Sequence, residues 1–255
     1  MESNNSHCKS DERYIHPETL EYYCNTNGWA LHTPVRGFVI EFPGLGGGSC
    51  LGGDLTKADY TGELALALAQ QGILLAYMFM GPWSWMNKGA VRITNAVVKA
   101  IKAKYALSDE VPYVVMGGSM GGLGALLYTA GAATMPTACL SVCPCVNVPD
   151  RFTAHPEFPR TFVRAVADYE LSIEEGLKTI SPIHRLEEMP DIPYFLINDC
   201  DDEVFPEAQL DEYVFELRKR VSSVEYEKLI GCKHGELTSS AREQIYRFLV
   251  KYAGS

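Results

Sequence analysis

Short apolar runs alternate with amphipathic stretches along most of the chain, and this alternation restricts the possible folds more than any other feature. Six runs have the length and composition of buried β-strands. Between them, apolar residues recur three or four positions apart, as in Ile93, Val97 and Ile101, which is the spacing of one helix face. Strands that alternate with helices form a parallel sheet covered on both faces. We therefore predict an α/β fold, a three-layer α/β/α sandwich around a mostly parallel sheet, with strands at residues 35–42, 73–80, 111–117, 137–142, 193–198 and 224–230.

Two segments interrupt this alternation. Residues 19–33 predict two short strands around Asn27-Gly28, an antiparallel hairpin at the sheet edge. Residues 146–185 lie between the fourth and fifth main strands and are long enough for a small cap or lid. We predict a flexible N-terminal arm at residues 1–18 and one domain at residues 19–255, which includes the cap insertion.

Charge and composition exclude several classes of function. The net charge of −10 at pH 7 repels nucleic acid and anionic membrane surfaces, so we expect neither as a partner. Residues 111–149 contain no charged side chain, but glycines and prolines divide them into short runs that suit buried strands better than a membrane span. The N-terminus has no apolar signal segment, and the eight cysteines lack zinc-type spacing. We expect a cytoplasmic protein with no metal and no cofactor, and its oligomeric state stays open.

The segment MGGSMGGLG, residues 116–124, places five glycines around Ser119. It contains the motif G-x-S-x-G, with an apolar strand before it and a helix-compatible stretch after it. In this arrangement a tight turn exposes the serine oxygen, and the glycines let neighbouring chain segments approach closely. We predict that Ser119 is a nucleophile, because the N-terminus of the following helix favours developing negative charge.

A nucleophilic serine requires hydrogen-bond donors for the oxyanion that forms when it attacks a carbonyl. The backbone amide of Met120 is one candidate. The glycine-rich loop FPGLGGG, residues 42–48, follows the first main strand, and we assign the second donor to the Leu45 amide. The alternative interpretation, a phosphate-binding loop, lacks the glycine and lysine spacing of such loops.

From about Val35 to the C-terminus, the chain resembles the α/β-hydrolase family. The matching pieces are VPYVVMGGSMGG, FPGLGGG and SPIHRLEEMPDIPYFLINDCDDEVFP. The last piece is similar to the acid-bearing segment of small serine esterases and of prolyl-oligopeptidase-type catalytic domains. The resemblance implies the order serine, acid, histidine. His234 is the one histidine that follows the acid tract, and it lies just after the final strand, where the resemblance requires the base.

The resemblance also implies an acid in the turn after PYFLIN, where Asp199, Asp201 and Asp202 occur together. The spacing to Val204-Phe205-Pro206 favours Asp202, with Asp201 as the second choice. A solvated acidic loop without a catalytic role is the alternative interpretation of this cluster.

The function implied by the resemblance is acyl transfer. Serine attacks an acyl carbonyl, histidine moves the proton, and water releases the acid from the acyl-enzyme. We expect a serine hydrolase that cleaves carboxylic esters of small to medium acyl substrates. A peptidase or acyl-aminoacyl hydrolase of the same fold is one alternative, and a catalytically silent binding protein is another. The chain departs from the family at Pro43, in place of a common histidine, and at GPWSWMN, where Trp83 and Trp85 are candidate substrate-binding residues or packing residues.

Overall fold

The computed structural model describes residues 12–45 and 61–254. Most of the predicted N-terminal arm and the glycines at 46–48 lie outside the described residues. The strands are β1 (Cys24–Thr26), β2 (Gly37–Phe42), β3 (Ile73–Met78), β4 (Tyr113–Gly118), β5 (Ala138–Val142), β6 (Tyr194–Asp199) and β7 (Val224–Leu229). The α-helices are α1 (Glu63–Gln70), α2 (Lys88–Lys104), α3 (Met120–Gly131), α4 (Val148–Arg151), α5 (Phe158–Val166), α6 (Ile173–Thr179), α7 (Glu207–Leu217) and α8 (Ser239–Ala253).

The seven strands form one sheet in the order β1-β3-β2-β4-β5-β6-β7. Strand β1 runs antiparallel to β3, and every other neighbouring pair is parallel. Each of the six predicted main strands coincides with one of the strands β2 to β7. In the register, Phe42 pairs with Gly117 and Gly118 pairs with Val142, so β2, β4 and β5 end together. The loops after these strands therefore meet at one carboxyl edge, where ligands bind in open α/β sheets.

Two hydrophobic cores lie on opposite faces of the sheet. One face is covered by α1 and α8, whose Leu68 and Ile245 pack on the same core as Val39 and Leu75. The other face is covered mainly by α2, α3 and the helices that follow β5, and this core includes Ile40. Alternate residues of a strand point to opposite faces, which is why Val39 and Ile40 belong to different cores. The three-layer prediction is confirmed.

The predicted hairpin around Asn27-Gly28 is wrong. β1 is a single edge strand, and Gly28–Ala30 forms a turn of 3₁₀ helix instead of a second strand. The reason is the buried side chain of Asn27, whose Nδ2 donates to the carbonyl oxygen of Ile73 at 3.1 Å and whose Oδ1 accepts from the amide of Leu75 at 2.8 Å. These bonds hold Asn27 against β3, so it cannot stand at the tip of a hairpin.

The segment 146–185 contains three helices, α4, α5 and α6. The sequence pattern indicated one of them, α6, where the side chains and backbone of Ser172 and Glu175 form a capping box. Helix α5 buries Phe158 and Phe162 and approaches the carboxyl edge of the sheet. Within the described residues, no helix is both long and apolar enough to cross a membrane.

Candidate active site

Ser119 lies at the sharp turn between β4 and α3, at the carboxyl edge of the sheet. Its backbone angles are φ 59° and ψ −123°, a conformation that costs a non-glycine residue about 1–3 kcal/mol. The flanking glycines allow this turn. A Cβ atom on Gly117 would lie 2.4 Å from the carbonyl oxygen of Gly121, and one on Gly121 would lie 2.1 Å from that of Phe42. The turn therefore fits only because strand and helix pass each other without side chains at these two positions.

His234 and Asp202 approach the same edge from neighbouring loops. His234 follows β7 and Asp202 follows β6, and Nδ1 of the ring lies 2.7 Å from Oδ2 of the carboxylate. The other carboxylate oxygen, Oδ1, accepts from the amides of Val204 at 2.7 Å and Phe205 at 3.0 Å. The Asp202 side chain is completely buried. Both of its oxygens are thus held in place, and a neutral His234 ring carries its proton on Nδ1.

The opposite ring atom, Nε2 of His234, is buried and has no hydrogen-bond partner among the described residues. A buried polar atom without a partner costs about 1–3 kcal/mol, so a free acceptor here is unusual. Ser119 and His234 line the same cavity, and no hydrogen bond joins their side chains. Such bonds are often long in free enzymes and tighten when substrate binds. The structure therefore brings Ser119, Asp202 and His234 together at one site.

The structure separates the three aspartates that the sequence left as candidates. Asp202 contacts the His234 ring, whereas Asp201 accepts from the backbone amide of Gly231 at 3.0 Å. Asp199 is fully buried and accepts from the amide of Gly235 at 2.9 Å. Burial raises the pKa of Asp199 above the usual aspartate value. The resemblance to the α/β-hydrolase pattern favoured Asp202, and the observed hydrogen bond agrees with that choice.

A cavity of about 1140 Å³ opens over Ser119. Gly44 and Leu45 line it on the side of β2, and Met120 is the first residue of α3. The first amides of a helix have no acceptor within the helix, so the Met120 amide has no helical partner. Of the two predicted oxyanion donors, Met120 therefore follows Ser119 directly in the chain and Leu45 lines the cavity, while the glycines that follow Leu45 lie outside the described residues.

Aromatic side chains form one wall of this cavity. The Phe205 ring lies edge-on to the His234 ring, with centroids 5.3 Å apart, and the Phe158 ring stacks on Phe205 at 5.8 Å. Trp85 is completely buried behind Phe158 and also lines the cavity. Sequence reasoning did not single out Phe158 or Phe205. The aromatic content of residues 146–185 and the position of Phe205 three residues after Asp202 were the available signals.

The two predicted substrate-binding tryptophans occupy different places. Trp85 faces the cavity above Ser119, and its Nε1 donates to the hydroxyl of Thr161 at 3.0 Å. Trp83 lines a separate depression together with Phe79 and Tyr169. The backbone explains the separation, because Trp83 and Trp85 both have positive φ angles, 55° and 44°, which turn the loop sharply between them. The prediction for Trp83 is therefore corrected, since its side chain lies outside the main cavity.

Within residues 12–45 and 61–254, one group of three side chains has the spacing of a metal site. The ligand atoms of Cys143, Asp202 and His234 lie within 4.8 Å of one another. However, Asp202 and His234 bond each other, and the Cys143 thiol donates to Asp199 at 3.1 Å. Burial also keeps this thiol protonated by raising its pKa. A metal would have to displace these bonds, so the donor set does not favour one.

Comparisons with solved structures identify the fold. A dipeptidyl peptidase 4 from Porphyromonas gingivalis is 15% identical, with a TM-score of 0.66 over 86% of this chain and 32% of its own. A truncated carbohydrate esterase from gut microbiota is 13% identical, with a TM-score of 0.67 over 88% of each chain. An acylaminoacyl peptidase from Pyrococcus horikoshii is 12% identical, with a TM-score of 0.67 over 87% of this chain and 37% of its own. The chain thus spans about a third of the length of both peptidases.

No curated protein matches the sequence at a significant level. The model of the prolyl oligopeptidase family matches residues 86–255, which is well over half of the chain and includes Ser119, Asp202 and His234. The sheet order, with one antiparallel edge strand and the serine turn between β4 and α3, agrees with the α/β-hydrolase fold. The chain therefore belongs to the prolyl oligopeptidase family of serine hydrolases.

Proposed function

We propose that this protein is a serine hydrolase that cleaves carboxylic esters of small to medium acyl substrates. Ser119 is the nucleophile, His234 the general base and acid, and Asp202 the residue that orients the ring. The backbone amides of Leu45 and Met120 hold the oxyanion. The observation that carries this proposal is the pair of His234 and Asp202, joined at 2.7 Å beside a strained serine turn in one cavity.

In the proposed mechanism, Oγ of Ser119 attacks the acyl carbonyl while its proton passes to Nε2 of His234. The Nδ1–H group keeps its bond to Asp202, whose negative charge stabilises the protonated ring. The carbonyl oxygen becomes an oxyanion at the two amides, and the N-terminus of α3 adds a favourable partial charge. His234 then returns the proton to the leaving alcohol. A water molecule repeats the cycle and releases the acid from Ser119.

The cavity supports a small acyl substrate. Its volume of about 1140 Å³ lies slightly above the usual range for small-molecule sites, about 300–1,000 Å³. Phe158 and Phe205, with the buried Trp85 packed behind Phe158, form an apolar wall for an acyl or aromatic group next to the reacting atoms. We assign residues 146–185 the role of a cap, because α5 supplies Phe158 to this wall. The acidic chain makes nucleic acid and anionic membranes poor partners.

A peptidase or acyl-aminoacyl hydrolase is the second candidate. The family match and the likeness to two peptidases favour it. Both peptidases are about three times as long as the shared part, so their substrates do not transfer directly to this chain. A silent binding protein is less favoured, because a site without catalysis has no need for a buried Nε2 on His234 that lacks a hydrogen-bond partner among the described residues.

Covalent labelling tests the proposal. A fluorophosphonate probe should react with the wild-type protein at Ser119, and Ser119→Ala should abolish the labelling. The matched control is Ser239→Ala, because Ser239 lines the same cavity away from the turn. Absent labelling of the wild type, or labelling that survives Ser119→Ala, would contradict the proposed nucleophile.

A substrate panel separates the two enzyme candidates. We expect higher kcat/KM for p-nitrophenyl acetate and butyrate than for aminoacyl p-nitroanilides, since esters have the better leaving group and no chain segment beyond the domain is needed to bind them. Faster cleavage of the anilides would replace the esterase by a peptidase. Labelling without turnover of either class would leave the nucleophile assigned and the substrate class wrong.

A further inference from the structure

A second carboxylate, which the mechanism above does not use, lies behind the pair of His234 and Asp202. Asp199 is the last residue of β6 and is completely buried. Its Oδ2 accepts from the backbone amide of Gly235 at 2.9 Å and from the thiol of Cys143 at 3.1 Å. Gly235 follows His234 directly in the chain, so this carboxylate is bonded to the backbone that carries the catalytic ring.

The position is unfavourable for an acid. Oδ1 of Asp199 is buried and has no hydrogen-bond partner among the described residues. The negative charge of Asp202 lies nearby, and burial together with this charge raises the pKa of Asp199. The ends of β5 and β6 are otherwise apolar or neutral, and an uncharged residue would avoid the cost of burying this carboxyl group. We attribute the presence of a buried carboxyl group at this position to its hydrogen bond with the Gly235 amide.

Within the described residues, two other hydrogen bonds join the loop around His234 to the turn after β6, one between Gly231 and Asp201 and one between His234 and Asp202. Gly235 has a φ of 77°, and among the described residues no atom beyond its chain neighbours lies within 4 Å of the position where its Cβ would be. Lys233 and Glu236 bond each other, through the Glu236 amide to the Lys233 carbonyl at 2.8 Å and the Lys233 amide to the Glu236 carboxylate at 2.9 Å. These bonds close the loop on itself. The bond from Gly235 to Asp199 connects the loop to β6.

We propose that Asp199 is a positioning residue for His234. By accepting a hydrogen bond from the Gly235 amide, Asp199 fixes the position of the His234 ring relative to Ser119. The Cys143 thiol donates to the same carboxylate and keeps it oriented toward Gly235. The thiol suits this task because burial raises its pKa and keeps it a donor. This inference rests on the proposed function, since positioning matters only if His234 serves Ser119.

The test compares Asp199→Ala, which removes the acceptor, with Asp199→Asn, whose amide oxygen can still accept from Gly235. We expect Asp199→Ala to lower kcat by about tenfold or more with KM within about twofold, because a small displacement of a catalytic group acts on the chemical step. Asp199→Asn should stay within about threefold of the wild type. The matched control is Asp201→Ala, which removes the equivalent acceptor of the Gly231 amide and should leave kcat unchanged.

A second measurement does not depend on turnover. The proton between Nδ1 of His234 and Asp202 should give a downfield ¹H NMR resonance in the wild type and in Asp199→Asn, and this resonance should broaden or shift in Asp199→Ala. An unchanged resonance and an unchanged kcat in Asp199→Ala would overturn the inference. Equal losses in the Ala and Asn variants would also overturn it, since position alone would not explain them.

Two further outcomes are distinguishable. If the wild type neither labels nor turns over, the proposed function fails, while the NMR comparison still shows whether Asp199 orients the ring. If Asp199→Ala does not fold, Cys143→Ala decides instead, because it leaves the carboxylate but removes the donor that orients it. Slower kcat in Cys143→Ala supports the inference, and wild-type kcat contradicts it.

Discussion

Asp202→Asn is the substitution for which the structure makes the most specific prediction. Oδ1 of Asp202 accepts from the amides of Val204 and Phe205, and these two buried donors need an acceptor. The amide oxygen of the new side chain will therefore take the place of Oδ1. Its NH₂ group then faces Nδ1 of His234, in the place of the carboxylate oxygen.

This orientation reverses the hydrogen bond to the ring. Because the NH₂ group donates, Nδ1 must accept, and the neutral His234 ring then carries its proton on Nε2. A ring in this tautomer cannot take the proton of Ser119. The same change in other serine hydrolases lowers kcat by about 10⁴-fold. With the Asp202 side chain completely buried, solvent cannot supply a substitute acceptor, so we expect a loss of about 10³- to 10⁴-fold, or about 4–5.5 kcal/mol in the activation barrier.

The assay is steady-state hydrolysis of p-nitrophenyl butyrate, with circular dichroism to verify folding. We expect native stability within about 1 kcal/mol, because both backbone bonds at Asp202 are retained. Asp201→Asn is the matched control, with the same chemical change one residue away, and should retain wild-type kcat. If Asp202→Asn kept more than about a tenth of wild-type kcat while Asp201→Asn lost activity, the assignment of the acid and of the tautomer would be refuted.

The other predictions concern the serine turn, the tryptophans and the thiols. Gly121→Ala should lower the free energy of unfolding, measured by urea denaturation, by at least about 2 kcal/mol, because its Cβ would overlap a backbone oxygen at 2.1 Å. Gly118→Ala is the control and should cost less, because the nearest atom to its Cβ would lie at 3.9 Å. Equal effects of the two substitutions would contradict the close-approach explanation. Trp85→Phe should change the order in which esters of different acyl chain length rank by kcat/KM, whereas Trp83→Phe should not, because of the two tryptophans only Trp85 lines the main cavity. The opposite result would place the acyl group in the depression lined by Trp83. Burial raises the pKa of Cys143, so its ionisation opposes folding, and stability should decline as pH rises past the ordinary thiol value of about 8.5. In the folded protein this thiol should resist iodoacetamide at pH 8, as peptide mass mapping can check, and rapid alkylation would show that the site opens.

Local pattern was sufficient to predict most of the fold. The strands β2 to β6 are short, strongly apolar runs, and a run of this kind forms a buried strand in a parallel sheet. Strand β7 at the sheet edge instead alternates apolar and charged residues, the pattern of a half-exposed strand. Helix α2 follows from the spacing of Ile93, Val97 and Ile101. The hairpin prediction failed because Asn27 forms long-range bonds to β3, and a local turn signal contains no information about partners about 48 positions away. Helix α5 was missed although its buried residues Phe158, Phe162 and Ala165 are spaced four and three positions apart, which is the spacing of one helix face.

The sequence by itself determined which residue types are present at the site and their order: a serine within a glycine-rich turn, an acid cluster after the sixth strand, and one histidine after the seventh. Only the tertiary structure decided which aspartate meets the ring, which tryptophan faces the cavity, and that Asp199 holds the loop of His234. The physical reason is geometric. Glycine spacing and apolar periodicity act within a few residues. The site, in contrast, depends on hydrogen bonds between loops that follow different strands, and the lengths of these bonds must be correct to within a few tenths of an ångström.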